Sequence, residues 1–301
     1  MLRLLREIPG PGYPADYLLP RLQGRRGRVV PEPAIPRGGT VPAGDSPFWE
    51  QAARERSWLF RQLDFELRAT LAPLFVYFEV GTLVQVLRYL AGNRAGFVDG
   101  ILETSMLSPM IRVIVRGRDG VADVLSRLER SLAGEVLALA GIGASFAEGG
   151  LRRCEELLRA RFLARVLASG GQDDLTLFFQ ALVDGRNILA VAKALRWRLD
   201  PMPDLLPGGS LSLPRPGRRC SAEELARMVR RFSHGHGLDL AGEQLRPEQL
   251  EPLLQAQLLQ KLVRRRRAGG AVSSCIEYVW RGQVAARQRS LRLHTEAEAG
   301  S

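Results

Sequence analysis

Few residues in this chain have chemistry to offer, and the most conspicuous sit where a core is expected. In FFQALVDGRNILAVAKALRW, residues 178 to 197, a carboxylate (Asp184) and an amide (Asn187) lie one helical turn apart in apolar sequence. A polar pair so placed is a candidate either for chemistry or for a buried packing device. The segment SHGHG, 233 to 237, spaces His234 and His236 as H-x-H, with Cys220 not far upstream. A metal needs three or four converging ligands, and neither C-x-x-C nor H-E-x-x-H is present, so a turn after a helix is the expectation. GIGASF, 141 to 146, is a dinucleotide fingerprint without its third glycine or a preceding strand, and is read as allowing close helix packing. No Walker-type lysine loop exists, and with His234, His236 and His294 as the only histidines a catalytic triad has no support. The sequence therefore predicts no catalytic residue, no metal and no cofactor.

The elements that must position Asp184 and Asn187 are helical. Leu, Ala and Arg dominate, runs of alternating β-branched residues are scarce, and 46% of the 301 residues are hydrophobic, which favours an all-α protein with a sizeable core. In one helix, Asp184, Ile188, Val191 and Leu195 form a single stripe with Asn187 beside it, while Arg186, Lys193 and Arg196 point away. PEPAIPRGGTVPAGDSP, 31 to 47, reads as a loop. Helical pattern then runs from Phe48 to about Gly92, with a break or kink predicted at Pro73. Further helical pattern follows RGRDG, stops at Gly149 and Gly150, and resumes in LRRCEELLRARFLARVLASGG until Gly170 and Gly171. The clearest boundary is 204 to 220, after which Ser221 and Glu224 form a capping-box signature.

Net charge is +11, carried almost wholly by arginine, with Lys193 and Lys261 the only lysines. Such an excess implies an anionic neighbour. Two clusters are candidate contacts: Lys261 with Arg264, Arg265, Arg266 and Arg267, and Arg25, Arg26 and Arg28 in GRRGR. The first also reads as a helix end whose cations complement the dipole. Elsewhere arginines are interleaved with acids, so no nucleic acid is expected, and a basic nucleic-acid-binding or scaffold protein is the alternative reading. Three cysteines are too few for a disulfide framework and point to a reducing cytoplasm. No leader fits the amino terminus, and the weakly polar run at 132 to 146 is short for a membrane span and contains Glu135, so a soluble or peripheral protein is expected.

Asp184 has a counterpart. Aligning YFEVGTLVQVLRYL, 77 to 90, with LVDGRNILAVAKALRW pairs Glu79 with Asp184, Thr82 with Asn187, Leu83 with Ile188 and Val86 with Val191, at a separation of 105 residues. A weaker third copy puts Arg287, Ser290, Leu291 and His294 in the same places, 103 residues further on. Three related units follow: 1 to 116 with an N-terminal extension, 117 to 208, and 209 to 301. Together with DYLLPRLQGRRGRV (16 to 29), LLPGGSLS before a capped helix, and the terminal CIEYVWRGQVAARQRSLRLH, this order of short motifs resembles the C subunit of bacterial and archaeal V-type (A-type) rotary ATPases, whose eukaryotic relative is the d subunit of the vacuolar ATPase. The resemblance extends from about residue 16 to 294. Where the family's last copy reads acid-x-x-Asn-Leu-Arg, this chain has Arg287 and Ser290 and keeps Leu291 and Arg292; the first copy has Thr82 for Asn. The resemblance implies three pseudo-threefold related helical units forming a funnel. It implies a non-catalytic central-stalk adaptor, peripheral on the cytoplasmic membrane face, whose partners are the central axle subunits and the proteolipid rotor ring. Such an adaptor transmits torque for proton or sodium transport, and its position allows a membrane-surface contact.

Overall fold

The computed structural model describes residues 3–26, 47–117, 120–132, 139–200, 202–212, 220–233 and 246–299. Described residues form eleven α-helices and no strand, so the chain is all-helical. It divides into two compact units, Met1–Arg165 with Ala285–Ser301, and Val166–Val284. The three expected units are a different division, made by internal similarity and not by contact.

The first unit holds α1 (Ala15–Arg26), α2 (Pro47–Gln62), α3 (Phe65–Ala91), a 3-10 turn (Ala95–Phe97), α4 (Val98–Thr104), α5 (Pro109–Arg116), α6 (Val121–Ser131) and most of α7 (Ile142–Ala168). The break predicted at Pro73 falls elsewhere. Chain direction changes at Leu63 and Asp64, where the Asp64 side chain caps α3 by accepting from the Leu67 N–H at 2.8 Å. Pro73 lies inside α3, flanked by buried Leu71, Ala72, Leu74 and Phe75, so core packing on both sides offsets the hydrogen bond that a proline forfeits. Phe75 meets Phe60 of α2 edge-on at 4.9 Å. At the amino terminus, residues 4 to 6 run antiparallel beside 106 to 108: Arg6 N–H donates to Met106 O, and Ser108 N–H to Leu4 O, both at 2.8 Å. The glycine stop near 150 is realised as a kink in α7, since Gly150 adopts φ 65°, which L side chains resist. GIGASF is not a packing site. A Cβ on Gly143 would meet only the Glu129 side chain at 3.8 Å, whereas Gly141 N–H donates to that carboxylate at 2.7 Å in the turn before α7.

The second unit holds α8 (Asp173–Trp197), α9 (Ala222–Phe232), α10 (Pro247–Arg267) and most of α11 (Ala271–Ala299). α9 and α10 pack on α8. Phe178 of α8 meets Trp280 of α11 edge-on at 5.5 Å, and the indole N–H of Trp280 donates to Gln255 O at 3.4 Å. The Ser221–Glu224 capping box forms in both directions, at 2.8 and 3.1 Å, and starts α9 as its sequence predicts. By length and composition α3 and α8 could each cross a membrane, yet 67% and 61% of their apolar windows are buried within the structure. These same two helices carry Glu79 and Asp184.

Candidate functional site

α8 buries most of the stripe its sequence predicts, with Asp184 at 1% exposure, Asn187 at 1%, Ile188 and Val191 fully covered and Leu195 half-buried. A carboxylate left unpaired there would cost several kcal/mol. Asp184 instead accepts three hydrogen bonds from the loop after α8: from Ser210 N–H at 3.1 Å, Ser210 Oγ at 2.6 Å and Leu211 N–H at 3.1 Å. The loop can come this close because of its glycines. Gly208 has φ +90°, and a Cβ on Gly209 would lie 2.1 Å from Asp184 Oδ1. Asn187 completes the attachment, donating to Leu206 O and accepting from Leu206 N–H, both at 2.8 Å. Its amide satisfies two backbone groups that no helix or strand pairs at that point. Nearby, the Lys261 ammonium lies 4.2 Å from the centre of the Phe232 ring, and burial lowers its pKa while Asp184 pulls the other way.

Glu79 on α3 repeats the arrangement. It is 2% exposed and accepts from Ser105 Oγ at 2.6 Å and from the Met106 N–H. Ser105 follows Glu79 by 26 residues, and Ser210 follows Asp184 by 26. Each acid thus holds a serine and the next residue's N–H on the segment that leads to the following helix. Sequence comparison predicted the acids but not the serines, whose partnership depends on a loop returning to its helix. Burial pushes the Glu79 carboxyl above the usual carboxylate range, opposed by the Ser105 and Met106 hydrogen bonds and by Arg56 and Arg112. Half-buried Arg56 is in turn pushed down to about 10 by burial, with Glu79 opposing.

Thr82 does not do what Asn187 does, because its hydroxyl bonds back to Phe78 O at 3.4 Å within α3. Arg287 and Ser290, the third pair, are half-buried on α11 in the part that belongs to the first unit. The buried acid of α11 lies ten residues earlier. Glu277, fully buried, accepts from Arg281 Nε at 2.7 Å, and Arg266 approaches it at 3.9 Å. Its sequence signal was an acid amid CIEYVW, the same signal that marks Asp184. A fourth buried acid, Glu155 of α7, is clasped by Arg88 through bonds of 2.6 and 2.5 Å, and polar neighbours in RRCEELLRA hide it from sequence reading.

The candidate anionic-partner contacts are largely engaged within their own units. Arg25 forms a bidentate pair with Glu55 at 2.9 Å and lies over the Trp58 ring at 4.1 Å. Arg26 is half-buried, and Arg28 lies outside the described residues. In the α10 cluster Arg265 approaches Asp174 at 3.9 Å, Arg266 faces Glu277 and Lys261 covers Phe232, while Arg264 and Arg267 are exposed at the helix end. His234 and His236 lie outside the described residues, and among the described residues no three of His, Cys, Asp or Glu come together. What these groups can do chemically is brace the fold: each of these buried carboxylates accepts hydrogen bonds from a loop or a guanidinium. No protein-family model matches the sequence, and no curated protein matches it.

Proposed function

We propose that the chain is a non-catalytic central-stalk adaptor of a V/A-type rotary ATPase, joining the axle of the soluble head to the proteolipid ring and transmitting torque for proton or sodium transport. The observation that carries this reading is the doubled carboxylate brace, Glu79 with Ser105 and Asp184 with Ser210, at one spacing. It supports an origin by internal repetition, as the resemblance to the rotary-ATPase adaptor requires, and a three-unit funnel is the arrangement proposed for the whole. A torque adaptor must be stiff, and tying each long helix to its following loop by two or three buried hydrogen bonds opposes shear between them. The proposed place is the cytoplasmic face of the membrane, as a peripheral component of the complex.

Mixing the purified chain with axle subunits, and separately with the detergent-solubilised ring, tests the reading. One-to-one complexes with both are expected. Absence of both complexes, with salt-dependent binding to DNA or RNA at physiological ionic strength, would replace the adaptor by the nucleic-acid reading. The engagement of Arg25, Arg265 and Arg266 by acids weighs against that alternative.

A further inference from the structure

Arg25 clasps Glu55 and Arg88 clasps Glu155, each through two hydrogen bonds. Three arginines of the first unit behave differently. Arg6 donates from a terminal nitrogen to Ser57 Oγ at 2.7 Å, and Arg61 donates from Nε to the carbonyl of the same serine at 3.2 Å. The backbone of Arg6 is bonded to Met106, and the carbonyls on either side of Met106, those of Ser105 and Leu107, are the acceptors for Arg112. Three guanidinium groups from three separate segments therefore gather around Ser57 and Ser105, and all their hydrogen bonds go to neutral acceptors. Arg6 Nε is buried without a hydrogen-bond partner. Burial lowers the Arg6 pKa, the like charges of Arg112 and Arg61 add to it, and the Glu79 carboxylate opposes them. Arg6 and Arg112 are half-buried and Arg61 is exposed, so the group reaches the surface at Arg61.

We propose that Arg6, Arg61 and Arg112 form a binding site for a phosphate group. Clustered guanidiniums that no carboxylate clasps are stabilised by a multivalent oxyanion, and a phosphate has more oxygens to offer them than the two of a carboxylate. The phosphate comes either from a soluble phosphate compound or from a lipid headgroup. The site is independent of the adaptor reading and stands or falls separately.

The test uses the full chain at constant ionic strength. Calorimetric titration with pyrophosphate covers the soluble source, and sedimentation with phosphatidic acid vesicles against phosphatidylcholine vesicles covers the lipid source. Binding in at least one arm is expected, weakened about tenfold or more by Arg61→Ala and by Arg6→Gln. Arg54→Ala on the same helix, whose partner is the neighbouring Glu50, should bind as the parent does. Arg61 is exposed, so its variant should keep the parent melting temperature and report on binding alone. Pyrophosphate binding assigns a soluble ligand, and vesicle binding without it assigns a headgroup. No binding in either arm, or binding that Arg61→Ala and Arg6→Gln leave unchanged, overturns the site.

Discussion

Glu79 and Asp184 occupy matching places in two units and hold matching serines, yet only Asp184 has an amide helper. The difference lies in the chain each acid must restrain. Between Glu79 and Ser105 the chain forms a 3-10 turn and α4, which satisfy most of their own backbone groups. Residues 202 to 209, before Ser210, have no helix, so Leu206 offers an N–H and a carbonyl with no partner of their own. Asn187 supplies both. Thr82 stands where that service is not required, and its departure from the repeat has a structural reason. A repeated brace therefore keeps its acid and serine, while the residue one turn on adapts to the local loop.

The largest effect should come from removing the acid where the loop depends on it most. Asp184→Ala leaves Ser210 and Leu211 N–H groups unsatisfied and should lower unfolding free energy by about 3 kcal/mol in urea denaturation. A loss under about 1 kcal/mol would mean that the brace does not bear on stability. Next, Asn187→Thr copies the first unit's residue into the second, and should cost about 2 kcal/mol because Leu206 loses two bonds.

Glu79→Gln sharpens the electrostatic side of the comparison. With its folded pKa raised by burial, Glu79 binds a proton more readily in the folded than in the unfolded chain. Its contribution is therefore fully present below the ordinary carboxylate pKa and is lost as pH rises through the folded value. Stability of Glu79→Gln relative to the parent should accordingly improve between pH 4 and pH 7.5, measured by denaturant unfolding at each pH. The opposite slope would mean that Arg56 and Arg112 outweigh burial. The smallest effect is expected for Thr82→Ala, within about 0.5 kcal/mol, since its hydroxyl bonds only its own helix.

The all-helical class, the buried stripe around Asp184 and the cap of α9 are legible in the sequence, because each is written in local periodicity or in a short polar signal. The break between α2 and α3 was not legible, since Pro73 is a strong local signal overridden by burial on both sides, and the cap at Asp64 is a single polar residue. Arg287 of the weaker third copy is half-buried, whereas Glu277, a buried acid on the same helix, finds Arg281 and Arg266 only once the chain is packed. Only the tertiary structure decided which groups meet: Asp184 with Ser210, Glu155 with Arg88, and Arg6 with Ser57. Helical pattern depends on neighbours three or four residues away. The partner of a buried charge depends on how loops of tens of residues close, and that is settled by the packed chain as a whole.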